Sequence, residues 1–108
     1  MSLPAWSPLD PRESPVLSID MADPVRKQGG GSVVSCIAAC VARDDDDPSA
    51  AAIIPGPCTV SGGMVVSVQK AANTGLPGKA YIVTFTYTLD SGPVLVAQGL
   101  MRIRTGGV

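Results

Sequence analysis

The sequence has no histidine and a single glutamate, Glu13. That removes the commonest general base, every Ser-His or Cys-His nucleophile pair and the commonest metal ligand. A pair of positioned carboxylates would have to come from aspartates alone, so the chain reads as a non-enzyme that needs no cofactor. Aromatics are nearly as scarce, with one Trp, two Tyr and one Phe. Any core must therefore be aliphatic.

An excess of charge of one sign is missing too. Eight basic against nine acidic residues leave a net charge of −1, which gives no electrostatic footprint for nucleic acid or an anionic membrane. No apolar run approaches the roughly 18 to 20 residues of a membrane span. The opening "MSLPAWSPLDPRESP" lacks the basic start and apolar stretch of a secretion signal, so maturation in a cytoplasm is expected. In a reducing compartment the three cysteines, Cys36, Cys40 and Cys58, read as unlinked, buried small hydrophobes. Cys36 and Cys40 on a strand would lie about 13 Å apart, too far for one ion, and no histidine can complete a zinc site.

What is present points to short strands. The 108 residues make one domain, with 45% hydrophobic residues, 12 Gly and 10 Pro. That punctuation suits many turns better than a few long helices. Pro4, Pro8, Pro11 and Pro15 make residues 1–15 an extended arm, since each removes a backbone donor and biases its predecessor away from helix. Trp6 and Leu9 are large apolar residues on it. Trp6 either folds back on its own domain or docks on a neighbouring subunit, and both residues are candidates for partner binding.

Residues 16–108 form the domain proper. In "SPVLSIDMADP" Leu17, Ile19 and Met21 share one face and Pro24 stops the strand. "SVVSCIAACVA" is ambiguous between helix and strand by period alone; its β-branched content and flanking glycines favour a strand buried on both faces. "AAAIIPGPCTVSGG" reads as two short strands around a Pro-Gly-Pro break. "MVVSVQKA" places Met64, Val66 and Val68 on one side. In "AYIVTFTYTL" Tyr81, Val83, Phe85, Tyr87 and Leu89 alternate with Thr84, Thr86 and Thr88, the clearest period of two in the chain. "DSGP" turns it into "VLVAQGLMRIR", where Gly99 marks a bulge or a close backbone approach. Such spacing indicates an all-β, immunoglobulin-like antiparallel β-sandwich.

The remaining polar features are weak as chemistry. "GGGS" and "SGG" lack the Lys-Ser/Thr of a phosphate loop and read as turns. The run Asp44, Asp45, Asp46, Asp47 invites a calcium reading, but it lacks the alternating spacing and glycine of a calcium loop. A solvated loop is the simpler reading, and one that could face a basic patch on a partner.

The order "LDPRESPVLSIDMAD", "GGGSVVSCIAACV" and "GLPGKAYIVTFTYTLDSGPVLVAQGLMRIR" resembles the tailed-phage fiber-tail adaptor family over about residues 9 to 105. The matching positions are Asp10-Pro11, Ile19-Asp20, Gly78, Tyr81, Val83, Thr88, Gly92 and Arg102-Ile103-Arg104. Met21 stands where the family carries a tryptophan. The resemblance implies an Ig-like virion protein, assembled in the host cytoplasm. It would join neck or tail to fibers or neighbouring virion subunits as a homo-oligomeric ring, with no catalytic residues. A capsid decoration protein is the nearest alternative; a carbohydrate-binding module is another, disfavoured by the scarcity of aromatics.

Overall fold

A computed structural model describes residues 5–44 and 47–104. Six strands and two short helical segments follow in the order β1 (Val16–Asp20), α1 (Ala22–Lys27), β2 (Val33–Ala42), a 3-10 turn (Ala50–Ile53), β3 (Thr59–Ser61), β4 (Val65–Gln69), β5 (Ala80–Leu89) and β6 (Val94–Arg102). They form two three-stranded antiparallel sheets, ordered β1-β4-β3 and β2-β5-β6, around one shared core. The protein is all-β.

The alternation in β5 holds along its whole length. Tyr81, Val83, Phe85, Tyr87 and Leu89 are buried, while the threonines between them face the other way. β4 places Val66 and Val68 opposite Ile19 and Leu17 of β1, which closes the core from the second sheet. Two tight turns need glycine. Gly62 and Gly63 both take positive φ between β3 and β4, and Gly92 takes φ 116° between β5 and β6.

Four expectations change. Pro24 does not simply stop β1; it sits in the first turn of α1, where no donor is required, and Val25 is buried beneath it. "AAAI" is a 3-10 turn and not a strand. It follows an Asx turn in which Asp47 accepts from the Ser49 N–H, and it buries Ala50 and Ile53. β2 is covered on one face only, with Cys36, Ala38, Cys40 and Ala42 on the core side and its other face open. A register shift between Val33 and Ser35 leaves Val34 as the extra, exposed residue and turns Val33 inward.

The fourth concerns the cysteines. Cys36 and Cys58 form a disulfide, with Cα atoms 5.7 Å apart, and only Cys40 is a free, buried thiol. Cys36 lies on β2 and Cys58 immediately precedes β3, so the bond ties one sheet to the other along the β2–β3 seam. The opposite seam, between β6 and β1, is closed by the N-terminal segment. Trp6 N–H donates to the Leu100 carbonyl and Leu9 N–H to that of Arg102, as isolated parallel bridges on the edge of β6.

Candidate functional site

The candidate residues of the N-terminal segment are committed to the chain's own fold. Leu9 is buried in the core. Trp6 lies between the sheets: its Nε1–H donates to the Ser18 carbonyl on β1 at 3.1 Å, and its ring meets Phe85 edge-on at 6.5 Å. Of the two destinations open to Trp6, its own domain is the one observed. Gly99 resolves as a close approach and not as a bulge, because β5 and β6 stay in register through Val83 and Gly99.

Lys70 holds the segment from beneath and was not singled out by sequence reasoning. It is completely buried, and its ammonium donates to the carbonyls of Pro11, Glu13 and Ala71 at 2.8, 3.0 and 3.0 Å. Its three donors meet three acceptors. Desolvation moves its pKa down, against the pull of Glu13 and Asp10. Above it, Asp10 and Arg12 form a bidentate ion pair, and Asp10 N–H donates to Glu13 Oε1. The hydrogen bonds from Arg12 hold the Asp10 carboxyl well below the usual carboxylate range.

The aspartate run divides. Asp45 and Asp46 lie outside the described residues. Asp44 is exposed and paired with the adjacent Arg43, whose Nε and Nη2 donate at 3.0 and 2.9 Å. Asp47 turns inward: it accepts from Ser49 Oγ at 2.6 Å and from the Tyr81 hydroxyl at 2.7 Å. Those hydrogen bonds, Ser49 first, lower its pKa, while burial pushes the Tyr81 hydroxyl up to about 12. Asp47 thus fastens the loop to the core. No group of three or more metal-ligating side chains occurs among the described residues.

An open hollow of about 550 Å³ adjoins this loop, lined by Cys40, Val41, Asp47, Pro48 and Ala50 among others. Burial pushes the Cys40 thiol up to about 12, with Asp47 adding to the shift. At neutral pH it is a thiol and a poor nucleophile.

The most distinctive surface is the outer face of the β2-β5-β6 sheet. Strand register places Ser35, Thr88 and Val94 in one row, Ile37, Thr86 and Val96 in the next, then Ala39, Thr84 and Gln98, then Val41, Ile82 and Leu100. No charged residue occurs in these four rows. Ile37, Val41, Val94 and Val96 are 70%, 55%, 60% and 62% exposed. The signal in the sequence was the absence of charge from residues 33–42, 80–89 and 94–101, masked by reading β2 as buried on both faces. An apolar sheet face of this kind is a candidate contact surface.

Comparison with family models, with curated proteins and with solved structures finds no match to this chain.

Proposed function

We propose that the chain is a non-enzymatic structural protein of a tailed-phage particle, an Ig-like adaptor that joins neck or tail to fibers or neighbouring subunits. The observation that carries this reading is the charge-free, aliphatic outer face of the β2-β5-β6 sheet. A domain whose best-formed surface is an apolar sheet face is suited to holding proteins together, not to turning over a small substrate. Rigidity supports the same reading. The Cys36–Cys58 disulfide closes one seam of the sandwich and Trp6 the other, as a subunit bearing load between larger bodies requires. A disulfide also suits a particle released into an oxidising medium.

Docking in this reading moves from the Pro-rich arm to the sheet face. Asp44, exposed at the rim, remains a polar contact for a partner, while Trp6, Leu9 and Asp47 act by keeping the block intact. The carbohydrate-binding alternative loses ground, since Tyr81, Tyr87 and Phe85 are all buried and Trp6 packs against its own strands.

Quantitative mass spectrometry of purified particles from the phage or host that encodes the chain tests the proposal. On the order of ten copies per particle fits a closed cyclic ring at neck or tail. Hundreds of copies move the protein to capsid decoration, and complete absence removes the virion reading.

A further inference from the structure

We infer that the outer face of the β2-β5-β6 sheet is occupied by a second copy of this chain, packed face to face about a two-fold axis that lies in the interface and runs across the strands. The inference rests on the reading of that face as a protein-contact surface and names its occupant.

From β2 to β6 the face reads Ser35–Thr88–Val94, Ile37–Thr86–Val96, Ala39–Thr84–Gln98 and Val41–Ile82–Leu100, apolar or hydroxyl-bearing everywhere except Gln98. Aliphatic side chains on β2 (Ile37, Val41) and on β6 (Val94, Val96, Leu100) flank a central stripe of Thr84, Thr86 and Thr88 on β5. Rotation about such an axis lays β2 over β2, β5 over β5 and β6 over β6, with the strands reversed. With the axis midway along the four rows, Thr86 meets Thr84 of the other copy, hydroxyls that both donate and accept, Ile37 meets Ala39 and Val94 meets Leu100, while Ser35 meets Val41, Thr88 meets Ile82 and Val96 meets Gln98.

Along the β6 edge the two ends of the face carry opposite charge, while the β2 edge ends beside Arg102 in the Arg43–Asp44 pair. Arg102 follows Leu100 on the same face of β6, is exposed, and makes no ion pair with any described residue. Asp90 lies in the turn beyond Thr88 and Val94 at the other end, exposed, with Oδ1 accepting from Ser32 N–H. Reversing the strands brings Arg102 of each copy toward Asp90 of the other. A parallel stacking would instead set like charges together, so the charges select the reversed orientation.

Size sets the expected strength. Three strands about 4.8 Å apart and about 27 Å long give a footprint of about 400 Å² per copy. That is about half of a standard interface, so the dimer is weak in dilute solution and fills where copies are concentrated, as within a particle.

Sedimentation equilibrium of the full chain from micromolar to near-millimolar concentration, with particle incorporation measured alongside, tests the inference. Wild type should show a concentration-dependent monomer–dimer equilibrium. Ile37→Lys alters a side chain already 70% exposed, so it should keep its fold by circular dichroism and weaken association at least tenfold. Arg102→Asp should weaken association as well, and the charge-swapped Arg102→Asp/Asp90→Arg double variant should recover it. A wild type that stays monomeric throughout, or a dimer indifferent to Ile37→Lys, overturns the inference. If the monomer still enters particles and Ile37→Lys blocks entry, another virion protein covers the face, and the adaptor reading survives without the dimer. A dimer found with no copies in particles leaves this inference standing and removes the virion reading.

Discussion

The Trp6 indole lies directly over Gly99: a Cβ at residue 99 would fall 2.5 Å from Cη2 and 2.7 Å from Cζ3 of the ring. Gly99 is on the core face of β6, opposite the fully buried Val83, so even one methyl group there competes with the ring for the same space. Gly99→Ala should expel Trp6 from the seam and destabilise the fold by about 1–3 kcal/mol. In a Trp6→Ala background the same substitution should be close to neutral, because the space is then empty. As the only tryptophan, Trp6 reports its own displacement, as a red-shifted emission in Gly99→Ala. Urea unfolding of the two single variants and the double variant gives the coupling; additive effects would show that the two residues do not share this contact.

Much of this arrangement was legible in the sequence. The period of two in residues 80–89, the return strand with its odd glycine, and the shared face of Leu17, Ile19 and Met21 are local patterns, and local patterns survive folding. What escaped depended on partners distant in the chain. Whether β2 is covered on one face or two is decided by what stacks on it. Pairing of Cys36 with Cys58 needs a turn, a loop and a second sheet to bring them together. Burial of Lys70 depends on three carbonyls, two of them from a proline-rich segment more than fifty residues earlier. The partner-binding role expected of Trp6 and Leu9 rested on the correct premise that large apolar side chains seek burial; their own domain supplied it.

The seam opposite Trp6 gives a second prediction. A disulfide closing a loop of sequence separation 22 is expected to contribute about 3 kcal/mol by restricting the unfolded chain. Cys36→Ser/Cys58→Ser should lower the urea midpoint accordingly without altering the strand content seen by circular dichroism. Thiol counting is an independent check. One thiol per chain should react after denaturation without reductant and three with it, while buried Cys40 should stay unreactive in the folded protein at neutral pH.

Stability should fall at both ends of the pH scale. Asp10 and Asp47 have folded-state pKa values below their ordinary 3.8, held there chiefly by hydrogen bonds from Arg12 and from Ser49. Protons bind them less readily in the folded state than in the unfolded chain. Their contribution is therefore complete above the unfolded value and is lost as the pH falls below 3.8. Tyr81 is shifted the other way, from 10.0 to about 12 by burial, and its contribution is complete below pH 10 and lost as the pH rises toward 12. Cys40, raised from 9.0 to about 12 by burial, and Tyr87, also raised by burial, add to the alkaline limb, so that it opens above pH 9. Urea midpoints measured against pH should show a plateau between these limbs. Tyr81→Phe should make the alkaline limb shallower and also trim the Asp47 part of the acid limb, because the Tyr81 hydroxyl is one of the donors that lower the Asp47 pKa. An alkaline limb of unchanged depth would contradict the assignment to Tyr81.

The clasp around Lys70 predicts what shortening the chain does. Removal of residues 1–14 takes away two of the three carbonyls that receive the Lys70 ammonium, along with Leu9 from the core and Trp6 from its seam. A buried cation left with one acceptor is far more costly than the same cation fully bonded, so truncation should destabilise the domain as a whole and not merely free a docking arm. Lys70→Met in the full-length chain separates the two effects. It leaves the Glu13 carbonyl without its donor and the Pro11 carbonyl with Thr74 N–H alone, a loss of about 1–3 kcal/mol, but introduces no stranded charge. Combined with the truncation, Lys70→Met should partly rescue stability, because the side chain that suffered most from losing its acceptors is then apolar. Thermal melts of the four proteins read out this sign reversal, destabilising in the intact chain and stabilising in the shortened one. A truncated protein as stable as the full chain would mean that the segment contributes nothing to the fold.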